Sequence, residues 1–217
     1  MTSNQDFSKY MKISFLKLSI FRPDKSLDYW NKENFYENYR KIEEGSKMYE
    51  HLNSETLNIP RVHCDDLSVE EFYEKYQKPN LPVVIEGLAD NWPAMEKWTF
   101  NRLYKEYGDV QFEVGEDQDG NSVKVPLKEY IQYMVFNQDD SPFYLFQRNL
   151  HRDESLKRLQ EDYTIPKYFE DDYQRLMDEK HIPDYNWFLI GPRRSGSYIH
   201  YDPLSMSAWN TSICGHK

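Results

Sequence analysis

Residues Tyr185 to Lys217 read YNWFLIGPRRSGSYIHYDPLSMSAWNTSICGHK, and the fold turns on how they are read. An apolar strand, Trp187 to Ile190, runs into a Gly/Pro/Ser loop, Gly191 to Ser197. Behind the loop, Tyr198 to Tyr201 and Met206 to Ile213 continue a β pattern. His200 and Asp202 stand two apart there. In a strand, positions i and i+2 share a face, so both side chains reach one ion while Tyr201 points away. One imidazole and one carboxylate suit a borderline metal such as Fe(II). A second histidine from another strand would complete a facial triad with three open positions. The competing structural reading is a hydrogen-bonded His–Asp pair at a strand end.

Spacing alone is weak. Six His and 37 acidic residues in 217 give about one His-x-Asp/Glu by chance, and the chain has three. His63-Cys64-Asp65 sits in a turn-like junction before a capped helix and reads as structural or solvated. His151-Arg152-Asp153 mimics a kinase catalytic loop. Arg158 stands where that loop needs Asn, and neither a glycine-rich loop nor Asp-Phe-Gly is present. Gly191 to Ser197 resembles a phosphate loop, but Ser197 replaces the required Lys. Lys217 reads either as a solvated end or as a cationic anchor for a carboxylate.

Composition bounds the class. Hydrophobic residues make up 39% and aromatics 16%, with 18 Tyr, which is enough to build a core despite 29% charge. The net charge of −10 opposes nucleic-acid binding through a general basic surface. An acidic protein suits a Lys- or Arg-rich peptide. Cys64 and Cys214 form no disulfide framework or CxxC zinc motif, which points to a reducing compartment. Ile13 to Phe21 is interrupted by Lys17 and has no small-residue cleavage site, so it is not a signal core. No run approaches a membrane span, and no membrane partner is expected.

Residues 1–58 read as a polar extension, with short helices expected over Ser26 to Arg40 and Lys41 to Leu52. From Ile59 the pattern tightens. Ser68 and Glu71 make a capping box ahead of Phe72, Tyr73 and Tyr76. Leu81 to Leu88 reads as a buried strand. Thr99 caps a helix with Phe100, Leu103, Tyr104 and Tyr107 on one stripe, closed by Gly108. Gln111–Val114 and Ser122–Val125 flank Asp117-Gln118-Asp119-Gly120 as a hairpin. Leu127 to Met134 reads as helix and Phe143 to Gln147 as strand. Asp153 to Tyr163 and Phe169 to Glu179 read as charged helices. The order predicts an α+β fold, a β-rich core wrapped by N-terminal helices.

Longer phrases carry more weight than any single pair. SVEEFYEKY, EKWTFNRLYKEY, GEDQDGNSVKV, DSPFYLF, EDYTIPKYF, WFLIGPRRSGSYIHYDPL, SAWN and GHK occur in order from Ser68 to Lys217. In these the chain resembles the Jumonji C family of Fe(II)- and 2-oxoglutarate-dependent oxygenases. The resemblance implies a double-stranded β-helix, cupin-like, with an N-terminal helical and β extension. It divides the chain into 1–58 (the extension) and 59–217, the latter split into an N-terminal subdomain 59–184 and the start of the β-helix at 185–217.

The resemblance also assigns roles. His200 and Asp202 become the iron ligands and catalytic pair. Ser197 falls where the family carries a Thr that binds 2-oxoglutarate. Asn210 contacts the cosubstrate, Lys217 pairs its distal carboxylate, and Tyr144 lines its pocket. The cofactors are Fe(II), 2-oxoglutarate and O₂. The activity implied is hydroxylation of lysine side chains or demethylation of methyl-arginine in nuclear proteins such as histones and splicing factors, with location in the nucleus and some in the cytoplasm. RNA association follows from the resemblance only.

One departure shapes these expectations. The family's second histidine ligand follows on a later strand, and the sequence ends at Lys217. His51, His63, His151, His181 and His216 stand in other contexts. The expectation is a fragment with its C-terminal strands missing, two of three iron ligands and impaired activity. The alternative is a non-catalytic interaction module or truncated isoform that retains the N-terminal binding surface. A third reading is a small cupin-like metal protein with a different third ligand.

Overall fold

The computed structural model describes residues 59–116, 121–137, 142–193, 195–197, 200–202 and 206–215. The 1–58 extension with its two expected helices, the hairpin turn 117–120, and Lys217 lie outside the described residues. The mixed α+β character holds: short helices alternate with six strands in three two-stranded sheets. No closed barrel is present among the described residues.

The first sheet pairs β1 (Arg61–His63) with β2 (Val84–Glu86) in parallel. Parallel neighbours need a crossover. Here it is α1 (Val69–Phe72), continued by a wider turn over Tyr73–Gln77. The expected capping box is present: Glu71 N–H donates to Ser68 Oγ, and Ser68 N–H donates to the Glu71 carboxylate. β2 is shorter than the expected run and only half-buried, because it has one partner strand. Beneath it Leu67, Phe72 and Tyr168 form a small core. The Tyr168 hydroxyl, 2.8 Å from Leu67 O, ties this unit to a segment a hundred residues on.

The principal core lies further along. α2 (Pro93–Lys97) and α3 (Phe100–Tyr107) lead into the hairpin β3 (Gln111–Glu116) and β4 (Ser122–Pro126), then α4 (Leu127–Phe136). Alternation along β3 and β4 puts Phe112, Val114, Val123 and Val125 inward, all buried. Leu103, Tyr107, Leu127, Tyr130 and Tyr133 cover them from the helices. The expected α3 stripe is only half covered. Leu103 and Tyr107 are buried, whereas Phe100 and Tyr104, one notch around the helix, are exposed. Gly108 stays right-handed at φ −55°, so it is not the left-handed cap its position suggests.

The third sheet pairs β5 (Leu145–Arg148) with β6 (Trp187–Ile190), antiparallel. Leu145 and Phe188 face the core, while Phe146 and Trp187 face outward with ring centroids 4.4 Å apart.

Between these strands the expected helices are absent. Asp153 to Tyr163 holds a 3₁₀ turn at Lys157–Asp162. Leu156, Leu159 and Asp162 recur every three residues and are all buried, a spacing that one face of a 3₁₀ helix satisfies better than an α-helix. Asp162 takes Lys97 Nζ at 2.5 Å and Trp98 Nε1 at 3.0 Å. Phe169 to Glu179 likewise yields only a short 3₁₀ turn at Tyr173–Leu176, whose Tyr173 and Leu176 are exposed. Without apolar burial nothing offsets helix nucleation. Beyond Ile190 no strand is present among the described residues, contrary to the β pattern expected over Met206–Ile213, while half of the expected Tyr198–Tyr201 stretch lies outside the described residues. Among the described residues, no helix is long and apolar enough to cross a membrane.

Candidate metal and cosubstrate site

The site begins where β5 meets β6. Tyr130, fully buried on α4, aims its hydroxyl between the strands. Its oxygen lies 2.9 Å from Phe143 O and 2.8 Å from Ile190 O, and accepts the Leu145 N–H at 3.0 Å. Burial raises its pKa, so the phenol keeps the proton it donates. This clamp fixes the register that sets Tyr144 opposite Gly191.

Gly191 is required there for space. A Cβ at this position would come within 2.2 Å of Ser195 Oγ and 2.7 Å of the Tyr144 ring. The loop folds back because Ser195 donates to Pro192 O through both its backbone N–H and its hydroxyl, at 3.2 and 2.6 Å. Tyr144 is therefore sandwiched against the loop that leads to Ser197. Its half-burial pushes the phenol's pKa upward.

His200 and Asp202 do converge. His200 Nε2 stands 3.4 Å from Asp202 Oδ1, with 56% and 39% of the side chains exposed. A metal with bonds of about 2.1 Å sets adjacent donors about 3 Å apart, so this pair fits one ion after a small closure. The exposure leaves room for further donors. Ser197 is exposed in the loop, and Asn210 is exposed beside Trp209. Trp209 stacks on Phe169 at 5.6 Å and 9°, and meets Trp92 and Tyr163 edge-on. This aromatic cluster holds the segment carrying Asn210 against Trp92, Tyr163 and Phe169. Of the six expected site residues, the structure brings His200 and Asp202 together, gives Tyr144 a defined wall, leaves Ser197 and Asn210 open, and does not describe Lys217.

Some neighbours escaped the sequence reading. Phe146, Trp187, Glu113, Glu116 and Arg148 line an open cavity of about 150 Å³ on the outward face of β5 and β6. Tyr144 continues this face, its ring centroid 6.0 Å from that of Phe146. Glu113 receives Arg148 Nε at 3.0 Å and lies 3.6 Å from Lys124 Nζ. The hydrogen bond to Glu113 raises the Arg148 pKa. The alternation Tyr144, Phe146, Arg148 was the available signal. His151, by contrast, packs structurally, its ring stacked on Tyr185 at 5.8 Å.

Comparison with known proteins completes the assignment. The chain belongs to the family of cupin-like domains, whose sequence pattern matches residues 69–217. Its relatives are of the JmjC type. It is 47% identical over 171 residues to the bifunctional arginine demethylase and lysyl-hydroxylase psr-1 of Caenorhabditis elegans, covering 76% of this chain and 43% of that protein. It is 41% identical over 160 residues to the arginine-specific demethylase JMJ22 of Arabidopsis thaliana, covering 74% and 30%. A more distant relative is the 2-oxoglutarate and iron-dependent oxygenase JMJD4 of Gallus gallus, 26% identical over 171 residues, covering 70% and 40%. The chain spans about two fifths of the length of the first of these. JmjC proteins use Fe(II), 2-oxoglutarate and O₂, a set that the imidazole–carboxylate pair suits.

Proposed function

We propose that this chain carries the first part of an Fe(II)- and 2-oxoglutarate-dependent protein oxygenase centre, acting on lysine side chains, methyl-arginine or both. The observation that carries the reading is the convergence of His200 and Asp202, whose Nε2 and Oδ1 atoms stand 3.4 Å apart. His200 and Asp202 would hold the iron. Ser197, Asn210, Lys217 and Tyr144 would hold 2-oxoglutarate: hydroxyl and amide groups orient it, and the Lys217 ammonium pairs a carboxylate. With O₂, the bound iron and cosubstrate supply the oxidising power that hydroxylates a C–H bond, and a hydroxylated N-methyl group then leaves as formaldehyde.

The chain's own residues do the positioning. The Tyr130 clamp holds Tyr144 against the loop, and the aromatic cluster around Trp209 fixes Asn210. Lys- or Arg-rich segments of histones or splicing factors in the nucleus are the substrates this reading favours.

On this reading, iron binding and succinate formation both require Asp202. Incubation with Fe(II), 2-oxoglutarate and a Lys/Arg-rich peptide tests both statements. Succinate that vanishes in Asp202→Ala supports the reading. Succinate unchanged in Asp202→Ala overturns the site. The second reading, a binding module, is favoured if the peptide binds equally well to the Asp202→Ala variant and no succinate forms.

A further inference from the structure

Among the described residues, His63, Cys64 and Asp65 form a further cluster of mixed donors, at a junction expected to be structural or solvated. We propose that these three side chains make a second metal site, for a zinc-class borderline ion, at the end of β1. An imidazole, a thiol and a carboxylate each present one ligand atom, and these atoms all lie within 4.8 Å of one another. His63 Nδ1 is 3.4 Å from Asp65 Oδ2, and Cys64 Sγ is 3.9 Å from Asp65 Oδ1. Tetrahedral zinc sets N and O donors about 3.4 Å apart and S and O donors about 3.6 Å apart. The nitrogen–oxygen pair is already at that spacing, and the sulfur needs to move in by a few tenths of an ångström.

The backbone explains why consecutive residues can converge. β1 ends at His63 and a 3₁₀ turn, Cys64–Asp66, begins at once, with His63 as its N-cap. The Asp65 N–H donates to His63 Nδ1 at 3.3 Å. Accepting that long bond takes an unprotonated Nδ1, and the lone pair it uses is the one a metal would take over. A metal would replace one weak hydrogen bond.

The surroundings hold the donors in place. Gly87, just beyond β2, has φ +84°, and a Cβ there would lie 2.6 Å from His63 Nε2 and 3.1 Å from Cys64 Sγ. The glycine thus lets the chain rest against both side chains and restrict their rotamers. Behind them the Cys64 carbonyl accepts from Tyr168 Oη at 3.2 Å and Lys167 Nζ at 3.4 Å. His63 and Asp65 are exposed, so water reaches the remaining coordination position. Three protein ligands and one open position are the pattern of a zinc site that can exchange ligands.

The site is independent of the proposed oxygenase centre, and the test separates them. The 217-residue protein, under a non-chelating reductant, is titrated with Co(II) as a zinc probe. Thiolate ligation gives a near-ultraviolet sulfur-to-cobalt charge-transfer band that imidazole and carboxylate do not give. The band is expected in the parent protein, displaced by Zn(II), absent in Cys64→Ser, and retained in Cys214→Ser and in His200→Ala/Asp202→Ala. His63→Ala, which removes a half-exposed side chain and one long hydrogen bond to Asp65 N–H, should weaken the midpoint about tenfold or more. A parent protein without the band, a band that survives in Cys64→Ser, an unmoved midpoint in His63→Ala, or loss of the band in Cys214→Ser would each overturn the proposal.

Discussion

Tyr130 and Gly191 show how much of the site depends on atoms that touch no cofactor. The Tyr130 hydroxyl serves two carbonyls and one N–H between β5 and β6. Tyr130→Phe keeps the ring but strands those buried groups. A loss of about 1–3 kcal/mol in denaturant unfolding is expected. Gly191→Ala drives a methyl group into Ser195 and the Tyr144 ring, with an expected loss of about 1–3 kcal/mol. It should also change Tyr144 fluorescence quenching by added 2-oxoglutarate, whereas an unchanged response would detach Tyr144 from the cosubstrate pocket. The positions of His200 and Asp202 were legible from their spacing and phrase context. The proximity of His63, Cys64 and Asp65 was not, because it depends on a turn type and on a glycine twenty-four positions later in the chain.

The elements were legible where a local signal and tertiary burial agreed. The Ser68 cap, the β3–β4 alternation and the Leu127 helix all emerged near their expected bounds. They failed where charge pattern stood in for packing. Lys157–Asp162 became 3₁₀ because its buried positions recur every three residues, and Tyr173–Leu176 had no face to bury. The strand expected through His200 had no pairing partner among the described residues, yet its two donors converged. The segment carrying Asn210 is held instead by Trp209. Trp209→Ala removes contacts to Phe169, Trp92 and Tyr163 and should cost about 1–3 kcal/mol. Hydrogen exchange should rise selectively across residues 206–215, and protection equal to the parent protein would show that other contacts hold the segment.

Burial of tyrosine sets the alkaline limit of the fold. Desolvation is the main cause that raises the pKa of Tyr107, Tyr130, Tyr144 and Tyr163. Below pH about 10 folded and unfolded chains both keep these protons, and stability is unaffected. Above it the unfolded chain releases protons that the folded chain retains, so stability falls as pH rises. Phenolate absorbance from these side chains should therefore appear together with the loss of far-ultraviolet dichroism. Complete, reversible ionisation of all 18 Tyr with the dichroism intact would contradict the packing described.

On the proposed function, His200 and Asp202 hold the metal that works with 2-oxoglutarate. Mn(II) binding followed by electron paramagnetic resonance, with saturating 2-oxoglutarate, tests it most directly, since Mn(II) favours oxygen and imidazole donors over thiolate. With His200 and Asp202 as ligands, His200→Ala/Asp202→Ala should weaken binding about tenfold or more while Cys64→Ser leaves it unchanged. Equal Mn(II) affinity in the parent protein and the double variant would contradict it.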